Sequence, residues 1–278
     1  MFNLLKGEFY KLFKSKALYV SCLVAVISVI FVYGMLIVAS KIQSGEIDNG
    51  SAGVYVTGEE MGESGVSIME EMTILDVLQQ LFGNFGTFFI AVLVPILVVG
   101  EYTSGAIKNV VGKGYARWKI FASKYISSVI ASILLMLLMV IVTVLCGYFV
   151  GKGQEINATF FLELFCFAGI QLCIGAALSG VVITIGELSR SLGVGIAISF
   201  GSVVFSTLIT AGLDLLVHFV LPESDFKFSA YWLVDLIMEC PLRNIETGFI
   251  VRALAVSAAW IVIAAGIGGF HFKKADIK

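Results

Sequence analysis

The chain has 278 residues, of which 59% are apolar and only 14% charged, where a soluble domain runs at about 45–50% and about 25%. With a mean hydropathy of +0.99 these proportions exclude a water-soluble fold and predict an all-α polytopic bundle, because a helix satisfies its own backbone polar groups in lipid. The formal charge of −2 hides an uneven distribution along the chain, and the five cysteines lack C-x-x-C spacing, so neither a thiolate metal site nor a disulfide framework is suggested.

The first stretch, residues 1–16, reads MFNLLKGEFYKLFKSK. On a helical wheel Phe2, Leu5, Phe9, Leu12 and Phe13 share one face, while Lys6, Lys11 and Lys14 lie toward the other. That pattern predicts an amphipathic helix lying in the membrane interface. Six charge-free apolar runs follow, about 17–39, 77–100, 125–151, 164–186, 191–213 and 253–272. Each is long enough to cross about 30 Å of hydrocarbon. No small-residue cleavage site follows the first run, so it reads as a retained span and not a signal peptide.

Residues 40–76 are acidic and Gly-rich at first, then helical in pattern from Ile68 to Leu81. In the second run Pro95 removes a backbone donor and predicts a kink. The fourth to sixth runs carry small residues four apart: Gly175/Ser179 and Ala176/Gly180, Gly193/Ala197/Gly201, and Ala264/Gly268 and Ala265/Gly269. Such ridges let helices approach closely, within one bundle or across a dimer seam. No run is charged near its centre, which argues against a proton relay. Glu187 and Arg190 have the spacing of a local ion pair. Residues 214–252, broken by Pro222 and Pro241, predict one or two short helices resting on the bundle or dipping into it.

The segment 101–124, EYTSGAIKNVVGKGYARWKIFASK, holds five of the eighteen basic residues (Lys108, Lys113, Arg117, Lys119 and Lys124) against one acid, Glu101. Its periodicity predicts two short helices hinged at Gly112-Lys113-Gly114, with Tyr115, Trp118, Ala122 and Tyr125 on one face and Lys113, Arg117 and Lys124 on the other. A loop that only sets topology or touches lipid headgroups would also be basic. With the N-terminus inside, Lys6, Lys11, Lys14, Lys16, these five, Arg190, Lys273, Lys274 and Lys278 are all internal. That places thirteen of the eighteen basic residues on one side. The positive-inside rule then gives both termini in the cytoplasm and makes 40–76 and 214–252 extracellular. Nucleotide-binding, serine-hydrolase and zinc-protease motifs are absent, so any energy for transport comes from another polypeptide.

The N-terminal basic helix, six spans, short helices before the last span and the first internal loop together resemble the permease subunits of type 2 ATP-binding cassette exporters. That family's loop has a Glu closing the second span, a Gly, an Arg, and a Lys opening the third; here these are Glu101, Gly105, Arg117 and Lys124. Ala106 departs from the pattern, standing where a hydroxyl residue often follows the Gly. The resemblance implies that 101–124 is the coupling segment for a separate ATPase, with Lys113, Tyr115 and Trp118 taking part. It implies two copies of that ATPase carrying ATP and Mg, a second or sister permease, and no cofactor or enzymatic activity in this chain. In style the chain is similar to bacterial bacitracin, lantibiotic-immunity and peptide-export permeases of the cell membrane. A membrane scaffold that uses the basic loop to recruit a cytoplasmic protein is the rival expectation.

Overall fold

The computed structural model describes residues 2–43, 73–103, 110–150, 156–189, 191–220, 226–243 and 245–274. Gly105, Lys108, Arg190 and most of 40–76 lie outside them. Within them six helices are long and apolar enough to cross a membrane, and together they make an all-α bundle.

Helix α1 (Phe2–Lys14) ends where Ser15 donates its backbone N–H to the Leu12 carbonyl. The same Ser15 caps α2 (Lys16–Gln43), its Oγ accepting from Leu18 N at 3.3 Å. The second spanning helix starts at Thr73, whose side chain accepts from Asp76 N while Asp76 accepts from Thr73 N at 2.7 Å. This capping box opens α3 (Ile74–Gln80). A π turn, Leu81–Gly86, then joins α3 to α4 (Thr87–Thr103) without a break. Pro95 sits inside α4 with two glycines beside it: a Cβ on Gly195 would lie 3.8 Å from Pro95 Cβ, and one on Gly186 3.9 Å from its Cα.

The remaining spans are α5 (Arg117–Phe149), α6 (Ala158–Ser189), α7 (Leu192–Val220) and α9 (Thr247–Lys274), with a 3-10 turn at Ser229–Tyr231 and the short α8 (Leu233–Glu239) before the last. Helix α6 is the hub. It packs against α4, α5, α7, α8 and α9, and 67% of its most apolar window is buried, against 17% for α2 and 22% each for α7 and α9.

The small-residue ridges are used mainly inside the bundle. Gly175 lies against the Met136 sulfur and Gly180 against the Tyr125 hydroxyl, and Gly268 receives the Phe121 ring and the Thr184 hydroxyl. Around Gly193 there is open space, so the Gly193/Ala197/Gly201 ridge is not a close-packing seam within this chain.

Two ends can now be named. The basic end holds α1, the stretch before α5 and the C-terminus of α9. The distal end holds α3 and α8, with the outer turns of α6. Gln171 of α6, fully buried, donates to the Ile237 carbonyl of α8 at 2.9 Å, and Gln79 of α3 donates to Met238 O at 2.8 Å and Cys240 O at 3.2 Å. From Gln171 to Ser189 α6 rises about 27 Å at about 1.5 Å per residue, close to one hydrocarbon thickness of about 30 Å. Helix α8 buries Leu233 to Ile237 at that depth, so it is part of the core and not a loop laid on top.

Candidate functional site: a buried ion network at the basic end

Glu101, two residues before the end of α4, is held by two lysines from different helices. Lys11 of α1 reaches one carboxylate oxygen at 2.9 Å and Glu8 at 3.1 Å. Lys124 of α5 reaches the other carboxylate oxygen, also at 2.9 Å, and lies over the Tyr102 ring at 4.9 Å. The Tyr102 hydroxyl in turn donates to Glu187 near the end of α6. A continuous polar chain therefore ties α1, α4, α5 and α6 together where their ends converge. Its members Glu8, Lys11, Glu101 and Lys124 line a cavity of about 280 Å³ between α1, α4 and α5, together with Leu12, Ile96 and Leu97.

Lys124 corrects the expected basic ridge. Its side chain is 3% exposed, turned inward with Ser123, Ser127 and Ser128, while Tyr115 and Trp118 are 36% and 55% exposed. Glu101 makes that burial possible: a buried ammonium without a counter-ion costs several kcal/mol, and here the carboxylate stands 2.9 Å away. The expected second short helix is also absent, because Arg117, Trp118, Lys119 and Lys124 belong to the opening turns of α5. Ahead of it residues 110–112 are helical, and Gly114, at φ +77°, makes the reversal that a side chain would strain. Val110 and Val111 pack on the core, whereas Lys113 is exposed. Arg117, also exposed, donates from Nη1 to the Lys273 carbonyl at 3.2 Å. A cation there suits the partial negative charge in the last turn of α9.

Helix α1 also differs from its wheel. The buried edge is Leu4, Glu8 and Leu12, with Phe9 partly buried and Phe13 53% exposed. The Lys11–Glu101 pair draws the Glu8 edge inward, which leaves Phe13 and Tyr10 pointing away from the bundle.

Burial pushes the Glu8 carboxyl above its ordinary value; Glu101 adds to this, and Lys11 and Lys124 oppose it. Burial lowers the Lys11 ammonium's pKa, but its bond to Glu101 and the charges of Glu101 and Glu8 outweigh that and raise it. The signs follow from linkage. Native Glu8 holds its proton more tightly than the unfolded chain does, so its burial costs stability above its folded pKa, and that cost is relieved as pH falls. Lys11 contributes stability that is present below 10.5 and lost only as pH rises through its higher folded value. Wild-type protein is therefore expected to gain thermal midpoint as pH is lowered from neutrality toward 5, and Glu8→Gln to flatten that slope. Equal slopes for the two proteins would remove Glu8 from the account.

The sequence matches the family described as ABC-2 family transporter protein over residues 4–206. The chain belongs to that family. The matched region runs from α1 into α7 and includes every member of the ion network. Members of the ABC-2 family are the membrane-spanning, permease-type components of ATP-binding cassette transporters and pair with ATPase subunits that hydrolyse ATP. No curated protein matches this chain closely enough to serve as a relative. As an ABC-2 permease the chain is a multi-pass protein of the cell membrane.

Seen in that light, Glu101 and Lys124 form an internal brace, Arg117 staples α5 to α9, and Lys113, Tyr115 and Trp118 stand outside as exposed groups. Gly105 lies outside the described residues. Glu8, Tyr102 and Glu187 are network members that sequence reasoning missed as a group. Tyr102 and Glu187 had a signal, a polar group at the margin of an apolar run, and Glu8 had only its place as the one acid among the lysines of residues 1–16.

Proposed function

We propose that this chain is the permease subunit of a bacterial ATP-driven exporter, with the basic end in the cytoplasm and residues 101–124 as the segment that engages the ATPase. The carrying observation is that exposed Lys113, Tyr115 and Trp118 lie at or just ahead of the start of α5, the helix whose Lys124 enters a buried network that reaches four helices. A partner pressing on that corner loads α1, α4, α5 and α6 through charge contacts and α9 through Arg117. The thirteen-to-five split of basic residues supports the orientation. Two ATPase copies and a second permease, identical or sister, complete the assembly, and α1 sits in the membrane interface on Tyr10 and Phe13. The uncharged spans favour an amphipathic or apolar cargo such as a peptide or antibiotic, moved out of the cell or its membrane.

Trp118→Ala is expected to lower recovery of the ATPase with the permease about thirtyfold, the equivalent of about 2 kcal/mol for an aromatic anchor. Lys113→Glu is expected to weaken it further, with ATP hydrolysis by the reconstituted complex falling in parallel. Both variants leave the network intact and should insert normally. Wild-type recovery and hydrolysis in both would return the segment to a topological role. Normal recovery with no transport-linked hydrolysis in wild type would favour the scaffold.

A further inference from the structure

A second cavity, of about 570 Å³, opens at the distal end between α7 and α8. It lies beyond the residues matched by the family. One wall is a single stripe of α7, where Thr207, Thr210, Asp214 and His218 recur at helical spacing. The other is Asp235 and Glu239, one turn apart on α8. Phe226, stacked on Tyr231 with ring centroids 5.6 Å apart, supplies an apolar surface, and exposed Lys227 is the one cation in the lining.

Asp235 stands apart from the other acids. Asp214 is satisfied by the backbone N–H groups of Phe228 and Ser229, and Glu239 is exposed. Asp235 is only 8% exposed, and its Oδ2 has no hydrogen-bond partner. Its place in the first turn of α8 offsets part of the cost of burying that oxygen, but a helix of 7 residues offers little dipole. An orphaned buried carboxylate oxygen needs a proton or a cation. Among the described residues no three His, Cys, Asp or Glu side chains converge closely enough to hold a metal ion. The volume fits a small molecule or one side chain of a larger one.

We propose that this cavity is a binding site for an organic cation, an amine carrying an apolar group, with the ammonium on Asp235, secondary contact to Glu239, and the apolar part against Phe226. Burial pushes the Asp235 carboxyl above its ordinary range; the Thr210 hydroxyl opposes this and Asp214 adds to it. A bound ammonium would relieve that penalty.

The test uses the full chain in lipid nanodiscs, with phenethylamine as probe and 2-phenylethanol as its neutral counterpart. Phenethylamine is expected to raise the thermal midpoint saturably and the alcohol to leave it unchanged. Asp235→Asn is expected to weaken the amine's apparent affinity at least tenfold, and Glu239→Gln by a smaller factor. If Asp235→Asn does not fold, Glu239→Gln at the exposed rim decides alone. Equal shifts from amine and alcohol, the same shift from magnesium chloride, or unchanged affinity in the variants that fold would each overturn the site. No ATPase enters the assay, so its outcome is separate from that of the docking experiment.

Discussion

Glu101→Gln is expected to destabilise the bundle by about 3–5 kcal/mol, the cost of leaving a buried cation without its partner. Lys124 is 3% exposed and has Glu101 as its ion-pair carboxylate at 2.9 Å, so the amide leaves an ammonium neither solvated nor neutralised. Lys124→Met is expected to cost less, because Glu101 keeps Lys11 at 2.9 Å and the methionine fills the space of the lysine stem. The double variant Glu101→Gln/Lys124→Met should recover much of the loss, since replacing a buried pair by groups of similar volume is often close to neutral. Thermal midpoints in nanodiscs for wild type, both single variants and the double give the coupling directly. Additive losses, with no recovery in the double, would show that the pair is not the source of the stability.

The second large effect is steric. Gly180 on α6 faces the hydroxyl of Tyr125 on α5, and a Cβ there would overlap it, with the ring carbon that bears the hydroxyl 2.9 Å away. Gly180→Ala is expected to cost about 1–3 kcal/mol, the usual range for overpacking a filled interior. Most of the clash is with one oxygen whose hydrogen bond to the Ile261 carbonyl is long, at 3.5 Å. Tyr125→Phe alone should therefore be nearly neutral, and it should rescue Gly180→Ala in part. It should not rescue Gly175→Ala, whose neighbour is the Met136 side chain. Melting midpoints of the three single variants and the two doubles that carry Tyr125→Phe test this. Equal rescue at both glycines would mean that Tyr125→Phe merely loosens the bundle.

How much of this was readable beforehand depended on the range of the interaction. Six spans follow from apolar runs and hydrocarbon thickness, both local quantities, and the described residues hold six such helices. The helix limits were harder. Helix α5 reaches back to Arg117 and α6 starts at Ala158, because turns that project past the lipid carry no apolar signal. The caps at Ser15 and Thr73 are local too, but neither was found, and the helical pattern from Ile68 runs straight through Thr73. The inward turn of Lys124 is not local, since a wheel treats every lysine as solvated and cannot see a carboxylate on another helix. The Arg117 bond to Lys273 spans 156 positions, beyond any pattern of spacing. Glu8 was missed for the same reason: its partners are Lys11 on its own helix and, through Lys11, Glu101 on another.

The π turn at Leu81–Gly86 has a consequence for the helix that contains it. A π turn takes up one residue more than the α turn it replaces, and at about 3.6 residues per turn that residue is worth about 100° of rotation. On one side of it Gln79 grips the carbonyls that end α8; on the other, Glu101 sits between Lys11 and Lys124. Both grips are in register only with the extra residue in place. The turn acts as a phase setting on a shaft. Removing one residue from Leu81–Gly86 would turn α4 by about 100° against α3, so Gln79 and Glu101 could not both keep their partners.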